Sequence, residues 1–85
     1  MIRKYHSTKE DRWRSILKVL QWNLEMRIHA VQRAQASGQA AAYRIYMPLL
    51  KESYLNSRFL HMFLGYTRET KAEQLAKNLL QESHN

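Results

Sequence analysis

Only three residues in this chain of 85 interrupt a helix: Gly38, Pro48 and Gly65. Everything between them is made of good helix formers, with apolar residues at helical spacing. That punctuation leaves room for three helices and predicts an all-α fold. The stretch from Pro48 to Leu64 constrains it further, because its apolar residues spread around most of the helix circumference. A helix of that kind needs neighbours on more than one side.

The first helix is expected from about residue 8 to residue 36, roughly 40 Å at 1.5 Å per residue. Ser7 and Glu10 have the spacing of a capping box, and Glu10 and Asp11 suit the positive end of the helix dipole. Its main stripe is Trp13, Leu17, Leu20, Leu24, Ile28 and Val31, with steps of three and four. Val19, Trp22 and Met26 form a second apolar group on nearly the opposite side.

Ser37-Gly38 reads as a turn, since glycine just past a helix can adopt the left-handed conformation that closes it. The competing reading is one helix running through Gly38 to Met47, because a single glycine costs a helix only about 1 kcal/mol. The turn is preferred because it lets the main stripe fold back on the next helix. That second helix is expected over about residues 39–64, kinked or restarted at Pro48, which removes the hydrogen bond to the Arg44 carbonyl. Its core stripe is Tyr43, Met47, Leu50, Tyr54, Ser57 and His61. A third helix is expected over about residues 68–83, started by Thr67 or by the capping-box pattern Thr70-Lys71-Ala72-Glu73. Its stripe is Ala72, Leu75, Ala76, Leu79 and Leu80. Residues 1–85 thus read as one helical domain, a long antiparallel hairpin with a short third helix.

A chain this short buries only about two-thirds of the surface its unfolded form exposes. It contains no cysteine, so no disulfide reinforces it, which suits a reducing compartment. No stretch approaches the roughly 20 apolar residues of a membrane span. The basic start of the chain leads into no apolar run of the secretory kind. These features predict a cytoplasmic protein without a membrane partner.

Catalytic chemistry finds little foothold. There is no cysteine nucleophile, and two glycines cannot build a phosphate-binding loop. The serines sit outside any nucleophile-elbow context. His6, His29, His61 and His84 lack the spacing of metal ligands. The reading is a non-enzymatic protein without metal or cofactor, with His61 as a hydrogen-bonded polar member of the core stripe.

Two binding chemistries remain. The net charge is +7, carried by residues 1–58, while residues 59–85 balance. Arg44, Lys51 and Arg58 recur every seven residues on one helix edge, and Arg12, Arg14 and Lys18 could extend that edge across the hairpin. Such a line can neutralise phosphates, so a small regulator or accessory factor contacting nucleic acid is the leading expectation. Residues 65–76 look like the entry into a helix-turn-helix, but only about nine residues follow, with no turn residue among them, so no recognition helix is expected there. The alternative is a protein-binding adaptor or inhibitor, its positive charge matched to an acidic protein surface. Val19, Trp22, Met26, Phe59 and Phe63 are the candidate interface, because one hairpin and one short helix cannot cover them all. A homodimeric helical bundle is the expected assembly.

Overall fold

The computed structural model describes the backbone of residues 2–82 and the side chains of residues 11–82. It is all-helical, with three helices and no strand among the described residues: α1 (Ile2–Ala36), α2 (Ala40–Phe63) and α3 (Lys71–Glu82).

Two glycines separate these helices by the same device. After α1, Gly38 takes a φ of 67°. Its amide donates to the Gln35 carbonyl, and the Gln39 amide donates to the Ala34 carbonyl. After α2, Gly65 takes a φ of 91°. Its amide donates to Met62, and the Tyr66 amide donates to His61 at 2.7 Å. Both ends are Schellman caps, in which a left-handed residue lets two amides satisfy the last carbonyls. At the second cap the Tyr66 ring meets His61 edge-on at 6.2 Å, which supplies the apolar contact such caps favour. Gly38 is therefore a turn, and the continuous helix through it does not form.

The structure fixes three points that the sequence left open or placed elsewhere. α1 starts at Ile2 rather than near residue 8. Residues 2–7 contain neither glycine nor proline, so nothing stops a helix already nucleated downstream from extending through them. Ser7 consequently lies within the helix backbone and not at its start. The Ser7 and Glu10 side chains lie outside the described residues, as do those of His6 and His84. α2 runs through Pro48 without restarting. Pro48 and Arg44 are both exposed, so water can reach the carbonyl that lost its partner. α3 starts at Lys71 with Thr70 as its cap, the later of the two starts the sequence offers.

The core joins all three helices. Leu24, Ile28 and Val31 of α1, Met47 and Leu50 of α2, and Ala72, Ala76 and Leu79 of α3 form one buried cluster. Tyr43, Tyr46, Tyr54 and Leu80 pack around it, half-buried. The N-terminal part of the main stripe, Trp13, Leu17 and Leu20, is only half-buried. Along the α1–α2 contact the Ser53 hydroxyl donates to the Asn23 side-chain oxygen at 2.6 Å, and the Trp13 and Phe63 rings lie 6.4 Å apart.

A Cβ built on either glycine meets nothing within 4 Å, so a side chain there costs only its conformation. Gly38→Ala and Gly65→Ala should each lower stability by about 1 kcal/mol, and asparagine should cost less. Urea unfolding followed by circular dichroism measures this.

Candidate functional site

Three regions carry the candidate residues: an apolar surface on α1 and α2, a set of basic side chains, and a buried polar network where α3 meets α2.

The five proposed interface residues are all strongly exposed: Val19 60%, Trp22 65%, Met26 56%, Phe59 76% and Phe63 70%. The reason lies in the helix period. Val19, Trp22 and Met26 fall on the face of α1 opposite Leu24, and Phe59 stands opposite Leu50 and Ser57 on α2. Sequence reasoning missed other members of this surface. Ile45, Leu55 and Met62 are each more than half exposed, and Ile16 is exposed as well. Their spacing was readable, but the apolar character of α2 all round hid which side the neighbours would take.

The basic residues divide. Arg12, Arg14 and Lys18 on α1 and Arg44 and Lys51 on α2 are exposed. Arg58 is not a free edge residue. Its side chain is 14% exposed, and its guanidinium lies 3.4 Å from Glu73 Oε1 while donating to the Thr67 carbonyl at 3.0 Å. The heptad spacing placed Arg58 in line with Arg44 and Lys51, but a carboxylate brought in by α3 takes it instead.

That carboxylate is the centre of the buried network. Glu73 is fully buried in the first turn of α3. The Thr70 amide donates to Glu73 Oε1 at 2.7 Å, and the Glu73 amide donates to the Thr70 hydroxyl at 3.2 Å. This is the reciprocal capping box that Thr70-Lys71-Ala72-Glu73 predicts. The second carboxylate oxygen accepts from the Ser57 hydroxyl at 2.9 Å and lies 3.5 Å from His61 Nδ1. One glutamate thus caps its own helix and ties that helix to α2. The sequence showed the cap and not the tie, although two polar residues, Ser57 and His61, inside an apolar stripe signalled that partners would come from elsewhere.

His61 Nδ1 is 2.7 Å from the Ser57 carbonyl. A carbonyl only accepts, so Nδ1 carries a proton and donates it there. Ser57, His61 and Glu73 are the residue types of a hydrolase triad, but the connections are different. The serine proton goes to the carboxylate rather than to an imidazole nitrogen, and the serine is fully buried. The arrangement holds helices together and presents no nucleophile to solvent. Nearby, the Tyr54 hydroxyl donates to Glu69 Oε2 at 2.8 Å. Burial and that carboxylate push the Tyr54 hydroxyl up to about 12.

Burial alone would drive the Glu73 carboxyl toward its neutral form. The Thr70 amide, the Ser57 hydroxyl and the neighbouring His61 ring outweigh that and hold it below its ordinary value of 4.5. Among the described residues, no group of three His, Cys, Asp or Glu side chains could hold a metal ion. No helix among them is long and apolar enough to cross a membrane.

Comparison with protein-family models, with curated proteins and with solved structures found no match.

Two outcomes follow from the network. The unfolded chain takes up the Glu73 proton more readily than the folded one, because the folded value is depressed. The stabilisation is therefore complete above about pH 4.5 and disappears as the pH falls through the lower folded value. Urea midpoints measured from pH 7 to pH 3 should fall steeply below 4.5, and less steeply in Glu73→Gln. Arg58→Gln should cost about 1–2 kcal/mol, since it leaves a buried carboxylate and a carbonyl short of donors. Lys51→Gln should stay within about 0.5 kcal/mol. Denaturant unfolding of the two variants side by side makes the comparison.

Proposed function

We propose that this chain is a small, basic, non-enzymatic regulator or accessory factor that acts as a helical protein-interaction module. Its working form is a long antiparallel α1–α2 hairpin with α3 packed on one side, paired with a second copy of itself. The hairpin reading is supported by the contacts of Trp13 with Phe63 and of Asn23 with Ser53, in which an advance of ten residues on α1 matches a retreat of ten on α2. The connection between the helices is also short, Ser37 to Gln39.

The observation that carries the interaction reading is the exposed apolar surface. Gln21 on α1 and Tyr54 and Arg58 on α2 face the α3 side, through Thr70, Glu69 and Glu73. At about 100° per residue, Val19 and Met26 on α1 and Ile45 and Phe63 on α2 turn to the other side of the hairpin. Four large apolar residues on one uncovered side, with Phe59 beside them, exceed what a small soluble monomer leaves to water. A two-fold pairing through this side gives a four-helix core with the two α3 helices outside it.

A second reading keeps the basic side chains. Arg12, Arg14, Lys18, Arg44 and Lys51 are exposed in a chain of net charge +7, which suits a nucleic-acid backbone or an acidic protein surface. With Arg58 committed to Glu73, the α2 edge offers two cations rather than three.

Sedimentation velocity at micromolar concentration should give twice the chain mass. Val19→Asp with Phe63→Asp should give a folded monomer, and Phe59→Ala should weaken association by about 2 kcal/mol. A parent protein that sediments as a monomer would overturn the dimer. For the second reading, Arg44→Gln with Lys51→Gln should flatten the dependence of log affinity for duplex DNA or RNA on log salt by about two units. A parent that binds neither at about 50 mM salt, where such contacts are strong, removes the nucleic-acid partner.

A further inference from the structure

The α3 interface is unusual in what it lacks. Its buried apolar residues are Ala72, Ala76 and Leu79, with Leu80 half-buried beside them, so two of the four are alanines. Leu75, which the apolar stripe of α3 places inward, is half exposed. It stands at the rim of a groove that it shares with Ala72 and with Ile28 and Glu25 of α1. The most deeply buried polar side chains of the interface are Glu73 and its partner Ser57. The partners of Glu73 are all donors: the Thr70 amide, the Ser57 hydroxyl and the Arg58 guanidinium. A carboxylate accepts from all three at once. A protonated or amidated group at that place loses the charge that draws Arg58 and forces the Ser57 hydroxyl to give up its donation.

We propose that α3 is a releasable cover on the α1–α2 core, latched by the Glu73 carboxylate in addition to a small apolar contact. Release uncovers the sides of Ile28 and Met47 and leaves the α1–α2 packing in place, because by helical phase that packing keeps large residues of its own, Leu24, Val31 and Leu50. The segment from Leu64 to Thr70, headed by the left-handed Gly65, is the tether on which α3 swings. Acid is one trigger. The groups facing the latch are Tyr54, Ser57, Arg58 and His61 from α2, and Glu69 and Thr70 from the tether. From α1, Gln21 reaches Thr70, and Lys18 and Glu25 border His61. Within this set the cation Arg58 reaches Glu73 directly, so neutralising Glu73 removes the ion pair at the centre of the latch. The cover is on the opposite side of the hairpin from the surface assigned to self-association, and its release is a separate event.

Hydrogen exchange of individual amides in the full chain tests this. Glu73→Gln keeps the shape of the side chain and removes its charge. At pH 7 its α3 amides should exchange about 10- to 100-fold faster than in the parent, while those of residues 24–31 and 50–57 keep their protection. Ser57→Ala should give a smaller loss confined to α3. In the parent, lowering the pH below 4.5, the ordinary value of a glutamate carboxyl, should release α3 amides before the rest, once rates are corrected for intrinsic exchange. Unchanged α3 protection in Glu73→Gln overturns the proposal. So does loss of protection by all three helices together, or a Glu73→Gln chain that does not fold, since either makes α3 an inseparable part of the core.

Discussion

A carboxylate with no access to water holds this fold in register. Glu73 closes the first turn of its own helix, accepts the Ser57 proton, and draws in Arg58, which reaches on to the Thr67 carbonyl. Burying an ionised group is costly unless donors surround it. Here they come from the segment before α3 and from α2, so the cost is met only when both stand in one relative position. Apolar packing would accept several positions of a short helix carrying alanines. The donors accept one.

That dependence explains which parts of the structure were legible from the residues. Gly38 and Gly65 announced two helix ends because the left-handed conformation they adopt is strained for other residues. The buried stripes of α1 and α2 followed from spacing, and Leu24, Ile28, Val31, Met47, Leu50, Ser57 and His61 are all buried. The capping box of α3 was plain in Thr70 and Glu73. The start of α1 was not, because a capping pattern at Ser7 favours a start without preventing the helix from beginning earlier. Arg58 was misplaced for a deeper reason. Periodicity reports position around one helix and says nothing about which charge another helix will bring opposite.

The same logic separates the two candidate surfaces. The exposure of Val19, Trp22, Met26, Phe59 and Phe63 follows from helical phase once the core stripe is known. It needs no knowledge of how α3 docks. The basic edge did need that knowledge, since α3 removes one of its three members. Inferences within a helix therefore held better than inferences across helices.

Alanine at positions 72 and 76 has a consequence of its own. Methyl groups allow the α3 backbone to lie close to its neighbours. The Glu73 side chain has only a fixed length with which to reach Ser57 across that gap. The two alanines therefore act as spacers that set the distance the carboxylate must bridge. A larger residue at either place would act as a wedge, lifting the acid away from its donors even while adding apolar surface. Side-chain volume and hydrogen-bond length are coupled here as thickness is to fit in a mechanical joint, so gains in greasiness at these two positions would be paid back as slack in the bond.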